Sequence, residues 1–388
     1  MPNLANTNLC VGCSACASIC PKQCLRMERD PDGFQYPVFM HSENCVACGM
    51  CEKVCPVLKD SININDNLPS AYAGFTKDEG IRQDSSSGGI FTEIAKIVIA
   101  KNGVVYGAVY DENFSVYHCC VDKVDDLQKL RGAKYAESNL GNCFAEILDR
   151  LKHGQLVLFS GTPCQVAGLK SFVRKDFKNL ICIDFVCHGV PSPMAWDEFI
   201  KYRAKEDADG KLPQSINLRS KETGWSRYQY SNVFEYDNGK KYSARSSQSL
   251  FMKLFVGDYI SRPSCSDCKF KGYRRVSDMT LGDFWGIWDI DPQMDDDKGT
   301  SVVLIQSEKG KFLWNETGDR IKYKEVSLEQ ASQQNLSMLN ASKAKPNRDV
   351  VLDGIRSGHI GECEKLFVQP KLSVMNRIKG KIKRLLHM

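Results

Sequence analysis

Cysteine is the residue type that dominates the possible chemistry of this sequence. The chain has 388 residues and 18 cysteines, and nine of those cysteines fall within the first 60 residues. Eight of the nine form two matching runs, Cys-x-x-Cys-x-x-Cys-x-x-x-Cys-Pro, which begin at Cys10 and Cys45. Residues 1–8 have no feature of a signal peptide, so such crowding indicates metal or redox chemistry rather than disulfides, and a cytoplasmic protein is expected.

Each run has the spacing of a [4Fe–4S] binding sequence. Three cysteines at every third position hold one cluster, and in two-cluster ferredoxins the fourth cysteine of each run binds the other cluster. A pair of zinc sites is the alternative, but zinc ligands usually occur as separated Cys-x-x-Cys pairs. The spacing therefore predicts two clusters, one held by Cys10, Cys13, Cys16 and Cys55 and the other by Cys45, Cys48, Cys51 and Cys20.

Four later cysteines make a further complete set of thiol ligands. Cys164 and Cys187 come at the ends of two apolar segments that are predicted to be buried strands, and Cys265 and Cys268 form a Cys-x-x-Cys pair. The carboxyl ends of parallel strands gather ligand-binding residues at one edge of a sheet. The spacing of this set fits either a third cluster or a zinc site.

A Ser- and Gly-rich segment before a predicted helix is a candidate anion site. Residues 85–89 read SSSGG, and free N–H groups at a helix N-terminus can bind phosphate. An ordinary serine N-cap explains the same residues. Arg131, Lys134 and Tyr135 supply cations and an aromatic ring that suit a nucleotide, although basic residues near a turn are usually solvated. His188, beside Cys187, is either a proton relay or a hydrogen-bonded structural histidine.

The elements that must position these residues follow from hydrophobic patterning. Short apolar strands alternate with helices between residues 142 and 205, which predicts an α/β core with parallel pairing. A hairpin is predicted around Asn238-Gly239. The expected fold is a two-[4Fe–4S] ferredoxin domain followed by a larger mixed α/β domain. The expected boundaries are a ferredoxin domain at 1–60, a linker at 61–70, a large domain at 71–345, a helical region at 346–370 and a basic tail at 371–388.

Composition and charge narrow the function classes. Hydrophobic residues make up 42% of the chain and charged residues 26%, which excludes a disordered or fibrous protein. The net charge of +5 is concentrated after residue 370, where six Lys or Arg occur without an acid, so no nucleic-acid partner is expected for the body. The tail has apolar residues at helical spacing, which suits peripheral contact with an anionic membrane or a solvated basic helix.

The motifs together resemble a known family. GTPCQVAGL (161–169), VCHGVPSP (186–193), the Cys265 and Cys268 pair and SDMTLGDFWG (277–286) occur in the order seen in the coenzyme F420 hydrogenase/dehydrogenase beta-subunit family. SSGG (86–89) and Lys134-Tyr135 precede them. The resemblance is to the form that carries an N-terminal two-cluster ferredoxin domain, and it extends from about residue 5 to about residue 345.

The resemblance implies an FAD-dependent iron–sulfur oxidoreductase. Electrons from reduced ferredoxin or another one-electron donor are expected to reach FAD through the clusters, and then a two-electron acceptor such as coenzyme F420 or another small molecule. An electron-transfer beta subunit of a larger hydrogenase or formate dehydrogenase complex is the alternative. The resemblance also implies a third [4Fe–4S] cluster at Cys164, Cys187, Cys265 and Cys268. The implied FAD contacts are Ser86, Ser87, Gly88, Gly89, Arg131, Lys134 and Tyr135.

Overall fold

The computed structural model describes residues 2–59, 67–226 and 229–367. The predicted basic tail and most of the predicted linker lie outside these residues, so the expected membrane contact of the tail stays a prediction. Within the described ranges, the structure has no helix long and apolar enough to cross a membrane.

The first 59 residues form two short helices and a small hairpin. Helix α1 (Ala15–Ile19) lies within the first cysteine run and α2 (Met50–Lys53) within the second. Strands β1 (Leu25–Arg29) and β2 (Gln35–Phe39) pair antiparallel with each other in a separate two-stranded sheet. Helices this short give both cysteine runs a looped path, which lets several thiols face a common centre.

A mixed eight-stranded sheet forms the centre of the larger part of the chain. Its strand order is β13-β3-β12-β11-β7-β6-β4-β5. The predicted parallel pairing is confirmed for β6 and β7. The structure adds β4 and β11 as further parallel neighbours, and the remaining pairs are antiparallel. The strands are β3 (Ser70–Thr76), β4 (Val104–Tyr110), β5 (Val116–Val121), β6 (Val157–Ser160), β7 (Leu180–Phe185), β11 (Met279–Asp283), β12 (Ser301–Ile305) and β13 (Ile321–Val326).

Helices cover both faces of this sheet, because the central parallel strands are apolar on both sides. Ile90, Ile94 and Val98 of α4 pack on one face, while Phe144 and Leu169 of α6 and α7 pack on the other. The helices of this region are α3 (Glu79–Asp84), α4 (Ile90–Ala100), α5 (Leu127–Leu130), α6 (Cys143–Lys152), α7 (Pro163–Val173) and α8 (Pro193–Ala208).

A second sheet and the later helices complete the fold. Strands β8 (Ser215–Ser220), β9 (Ser231–Glu235) and β10 (Lys241–Arg245) form a three-stranded sheet that contains the predicted hairpin. An aromatic core that includes Trp196, Phe234 and Phe251 packs this sheet against α8 and α9. The later helices are α9 (Leu250–Val256), α10 (Ile287–Ile290), α11 (Glu308–Glu316), α12 (Leu328–Ser332) and α13 (Arg348–Arg356).

Candidate functional site

The structure gathers the twelve candidate cysteines into three sets of four. The first set, Cys10, Cys13, Cys16 and Cys55, lines one small cavity and is called the proximal set here. It contains the fourth cysteine of the second run, as the crossing pattern predicts. Burial, followed by the neighbouring thiol of Cys16, raises the pKa of Cys13 well above its usual value, and burial raises that of Cys16 to about 12.

The second set is the distal set, and it lies nearer to the surface. Cys20, Cys45, Cys48 and Cys51 line one cavity, and Cys48 is exposed. Val46 in the same loop is 58% exposed. Cys24 also borders this cavity, and its backbone N–H donates to Cys20 Sγ over 3.3 Å. The structure therefore places Cys24 as a buried neighbour of the distal set.

The third set joins three separate segments of the chain. Cys164, Cys187, Cys265 and Cys268 line one cavity. The cap of α7 holds Cys164: Thr162 and Gln165 form a capping box, and Thr162 Oγ1 lies 3.1 Å from Cys164 Sγ. Cys187 follows β7, and Val190 N–H donates to Cys265 Sγ over 3.3 Å. These are the strand-end and loop positions from which the sequence predicts a common site.

Sulfur donors arranged around a cavity fit an iron–sulfur cube. Among the described residues, no three His, Cys, Asp or Glu side chains converge closely enough to hold a single metal ion. Burial raises the pKa of Cys187 to about 11 and that of Cys265 to about 12. Thiols with such pKa values are protonated at neutral pH, and a metal centre stabilises the thiolate form that ligation requires.

The proximal and third sets lie in contact with the same small group of residues. Val57, Ala167 and Phe270 form a buried apolar cluster, against which Cys55, Cys164 and Cys268 pack. Val11 borders the cavities of both sets. The apolar cluster therefore separates the two sets without intervening solvent-exposed surface.

A cavity of about 1180 Å³ adjoins the third set. Cys164 and Cys187 lie on its wall as well as on the wall of the third set's own cavity. Six of the seven candidate cofactor contacts line the large cavity: Ser86, Ser87, Gly89, Arg131, Lys134 and Tyr135. The structure thus brings the predicted thiol site and the predicted cofactor segments to one place.

Gly88, the seventh candidate contact, does not line the large cavity. A Cβ at position 88 would lie 2.4 Å from Gly74 O and 2.9 Å from Ser301 N, so only glycine allows the loop to approach β3 and β12. Its N–H donates to Ser301 Oγ over 2.9 Å. Gly88 fixes the position of the loop rather than facing the cavity.

The alternative of an ordinary serine N-cap is wrong. The N-cap of α4 is Gly89 at φ 79°, and no side chain caps the helix. Ser85 Oγ donates to Ile81 O, and Ser87 Oγ donates to Thr300 O. The serine hydroxyls bind carbonyls on the loop side, while the first N–H groups of an α-helix have no partner within the helix. The loop therefore has the polarity of an anion site.

Two cationic side chains donate hydrogen bonds to backbone carbonyls of the same loop. Arg219 donates to Ser86 O over 3.2 Å, and Lys221 donates to Ser87 O over 2.9 Å. Arg219 is also bound by both carboxylate oxygens of Asp283, at 2.8 and 3.0 Å. Burial, followed by the charges of the neighbouring arginines, lowers the pKa of Lys221 to about 7.

Arg219, Lys221 and Asp283 are functional residues that sequence reasoning missed. SDMTLGDFWG contains Asp283, which gave a signal for one of them, but Arg219 and Lys221 lie in and after β8 without a motif. Their relation to the loop depends on sequence separations of more than 130 residues.

The Arg131 to Tyr135 segment also lines the large cavity. Arg131 Nη1 lies 3.5 Å from Asp84 Oδ2. This guanidinium is therefore close to the start of the segment 85–89, which is called the Ser-Gly loop here. The Lys134 ammonium instead donates to carbonyls of its own turn, including Lys129 O at 3.0 Å. Burial lowers the pKa of Lys134 to about 8.

His188 lies on the cavity wall beside Cys187. Its Nε2 is 2.8 Å from Asp258 Oδ1, and its ring meets Phe255 edge to face at 5.1 Å. This arrangement holds the imidazole in a defined orientation, which is compatible with both of the roles considered for it.

Comparisons with known proteins match two regions of the chain. A model of the 4Fe–4S dicluster domain matches residues 9–58. A model of the C-terminal part of the coenzyme F420 hydrogenase/dehydrogenase beta subunit matches residues 154–331. The comparison with curated proteins finds no match.

One similar solved structure is a chain from the xenon-derivatised F420-reducing [NiFe] hydrogenase complex of Methanosarcina barkeri. It is 14% identical, with a TM-score of 0.46, and the match covers 77% of this chain and 91% of that chain. The dicluster model covers the proximal and distal sets, and the beta-subunit model covers the third set. Residues 154–331 therefore match the C-terminal part of the coenzyme F420 hydrogenase/dehydrogenase beta subunit, and residues 9–58, ahead of them, match a 4Fe–4S dicluster domain.

Proposed function

We propose that this iron–sulfur protein is an FAD-dependent oxidoreductase that passes electrons from a ferredoxin-type donor to a small two-electron acceptor. One observation carries the proposal: Cys164 and Cys187 border both the cavity of the third thiol set and the 1180 Å³ cavity. A cluster held by the third set would therefore lie directly beside a cofactor in the large cavity.

The three thiol sets would each hold one [4Fe–4S] cluster. The clusters would pass single electrons, and a flavin can accept electrons one at a time and give them up as a pair, so together they would connect a one-electron donor to a two-electron acceptor. The exposed loop of Cys48 and Val46 gives a donor protein access to the distal set. The proximal set shares the residues Val11, Val57, Ala167 and Phe270 with the surroundings of the third set, so electrons would reach the third set from the proximal one.

The Ser-Gly loop would bind the FAD pyrophosphate. Arg82, Arg219 and Lys221 place three buried cations behind the loop, and the two carboxylates that bind them are Asp296 and Asp283. One cation is thus left without a carboxylate partner from this group. A phosphate on the helix N-terminal side would favour its protonated form, and Arg131, near Asp84 at the start of the loop, would add a further positive charge.

The acceptor would share the same cavity. A volume of about 1180 Å³ exceeds the range of roughly 300–1,000 Å³ that is usual for a small-molecule site. The part of the wall formed by Met252, Phe255 and Tyr259 is apolar and suits the face of a ring system. Coenzyme F420 is one acceptor of this kind, and another small molecule would satisfy the same wall.

Cofactor analysis tests the proposal directly. Protein purified without oxygen should contain about twelve iron and twelve sulfide per chain, four of each per cluster, and one non-covalent FAD. About eight iron together with tetrahedral zinc would reject the third cluster and leave the dicluster domain unaffected.

A ligand substitution tests the contact between the third set and the flavin. Cys187→Ser should lose about four iron, because a serine oxygen is a poorer iron ligand than a thiolate. Reduction of FAD by ferredoxin should slow sharply, while reduction by dithionite should persist. Cys119→Ser, outside the three sets, is the matched control. Unchanged iron and an unchanged rate with ferredoxin in Cys187→Ser would remove the residue from the proposed site.

A role in electron transfer within a larger assembly is the second candidate, because the matching family model describes a beta subunit. In that case the chain would exchange electrons with another subunit instead of a free donor. Size-exclusion chromatography of the natively expressed protein separates the two: a stable hetero-complex supports the role within an assembly, and an active single component supports the independent enzyme.

We propose domain boundaries that match these roles. Residues 1–60 would hold the distal and proximal sets, 61–70 would connect them to the large domain, and 71–345 would hold the third set and the flavin. Residues 346–370 would form a helical region and 371–388 a basic tail. Expression of 1–60 alone with about eight iron would support the first boundary.

A further inference from the structure

Arg262 occupies a buried position between the proximal and third thiol sets. Its Nε donates to Cys10 O over 2.8 Å, and its own carbonyl accepts from Cys265 N–H over 3.0 Å. Cys10 belongs to the proximal set and Cys265 to the third set. One residue therefore contacts the ligand loops of both candidate cluster sites, 252 positions apart on one side and three on the other.

The guanidinium is shielded from solvent by the first 59 residues. The Arg262 side chain is 1% exposed, and its Cζ lies 4.3 Å from the centre of the Tyr36 ring. Its Nη2 donates to Gln35 O over 2.8 Å. Burial of this kind reduces screening, so a fixed charge here acts on its surroundings more strongly than one at the surface.

A single carboxylate, that of Glu137, partly balances the positive charge of Arg262. Glu137 Oε2 lies 2.6 Å from Arg262 Nη1, and Glu137 Oε1 accepts from Gln35 N–H over 3.3 Å. The pair also fills the space beside Gly12, where a Cβ would lie 2.5 Å from Glu137 Oε1 and 2.8 Å from Arg262 Nη1. Gly12 lies between Cys10 and Cys13, so the ion pair touches the binding loop of the proximal set.

We propose that Arg262 and Glu137 set the reduction potentials of the proximal and third clusters. The inference rests on the proposed ligand sets. Each cluster gains one electron, and therefore one negative charge, when the donor reduces it. The Arg262 cation stabilises that reduced form and raises both potentials, while the Glu137 carboxylate lowers them.

Removing Arg262 alone would not isolate its charge. A buried Glu137 without its cation would take up a proton, because burial already raises its pKa to about 7 with Arg262 present. The two charges would then disappear together. The comparison therefore starts from Glu137→Gln, in which the arginine keeps its charge because guanidinium does not deprotonate in proteins.

The test is a redox titration followed by EPR, on the full chain reconstituted with iron and sulfide. At pH 8, where Glu137 is mostly ionised in the wild type, Glu137→Gln should raise the proximal and third potentials above wild type. The double variant Glu137→Gln/Arg262→Gln should fall below Glu137→Gln by at least a tenfold change in the reduced-to-oxidised ratio, about 59 mV for one electron. The distal potential, remote from the pair, serves as the internal reference.

Two further variants make the result decisive. Glu137→Gln/Arg262→Lys keeps the positive charge and should stay near Glu137→Gln, which a purely structural role would not produce. Arg203→Gln breaks an ion pair with Asp207 on α8 and should leave all potentials unchanged. Equal potentials in Glu137→Gln and Glu137→Gln/Arg262→Gln would overturn the inference. Absence of iron from the third set of the wild-type protein would instead overturn the proposed function.

Discussion

Gly168 lies directly against Cys13. A Cβ at position 168 would be 2.7 Å from Cys13 Cβ and 2.9 Å from Cys13 Sγ. Gly168 is one helical turn after Cys164 in α7, so the helix that begins with a thiol of the third set continues with a contact to the proximal set. The missing side chain allows the backbone of α7 to approach a candidate cluster ligand.

Gly168→Ala should therefore destabilise the proximal cluster. Alanine normally stabilises a helix interior by about 0.5–1 kcal/mol relative to glycine. At position 168 the new methyl would displace Cys13 or α7, so iron content and thermal stability should both fall. Gly354→Ala in α13 is the control, because the nearest atom to its Cβ is Cys363 Sγ at 3.7 Å. That control should be neutral or stabilising, and a similar gain at position 168 would contradict the contact.

Lys221 should couple flavin binding to pH. Its pKa of about 7 is far below the usual 10.5, so between these values the unfolded chain binds a proton that the folded protein lacks. The stability of the flavin-free protein should accordingly rise with pH across that window. A phosphate at the Ser-Gly loop would favour the protonated amine, so FAD binding should take up a proton above pH 7.

FAD affinity should then fall with pH above 7, with a limiting slope of roughly tenfold per pH unit for one proton. Lys221→Met should bind FAD more weakly at pH 7 and lose the pH dependence. Lys241→Met removes an exposed lysine of β10 and should retain it. Calorimetric titration with FAD in two buffers of different ionisation enthalpy measures both affinity and proton uptake. An equal pH slope in wild type and Lys221→Met would exclude this lysine.

His118 should make the protein sensitive to acid. Burial lowers its pKa to about 4, and it is held neutral by Ser138 Oγ at 3.0 Å from Nδ1 and Ser160 O at 2.9 Å from Nε2. Gln165 Nε2 donates to Ser138 Oγ, so the Ser138 hydroxyl donates to His118 Nδ1 and the Nε2–H tautomer donates to Ser160 O. The imidazole therefore connects the cap of α7 with the end of β6.

Between about pH 4 and 6.5 the unfolded chain binds a proton at position 118 that the folded protein lacks. Stability should thus rise with pH across this window, by up to about 1.4 kcal/mol per pH unit. His118→Asn should reduce that slope in urea unfolding measured at pH 5 and pH 6.5. His153→Asn, at an exposed position just after α6, should leave it unchanged. Parallel slopes for wild type and His118→Asn would disprove the assignment.

Elements that depend only on nearby residues could be predicted from the sequence. The cysteine runs, the parallel strands and the Asn238-Gly239 hairpin depend on spacing within short segments, and their elements were predicted. The interpretation of residues 85–89 as a serine cap failed because Gly89 takes the left-handed conformation and the hydroxyls bind distant carbonyls. Strand β13 was missed because it is a lysine-rich edge strand with only Ile321 buried, which weakens the hydrophobic signal.

The residues that position the site were not predictable in this way. Arg262 and Glu137 have no distinguishing neighbours in the sequence, and the motif GTPCQVAGL contains Gly168 without indicating its contact with Cys13. These contacts join segments that are separated by more than 100 residues. A buried arginine and a helical glycine look ordinary until the thiol sets are in place. Their importance depends on tertiary distances, which hydrophobic periodicity and ligand spacing do not contain.

The final prediction concerns which cysteines act together. Cys20 belongs to the first run in sequence but lines the distal cavity with the second run, whereas Cys55 lines the proximal cavity. Substitutions within one ligand set should not add, because the first already removes the cluster, whereas substitutions in different sets should add. Cys20→Ser combined with Cys48→Ser should therefore lose about four iron, no more than either alone. Cys20→Ser combined with Cys10→Ser should lose about eight, although both residues lie in the same run. Iron analysis with EPR of the remaining clusters distinguishes these cases. If Cys20→Ser and Cys10→Ser together removed only four iron, the ligands would follow the runs in sequence and not the crossing seen in the structure.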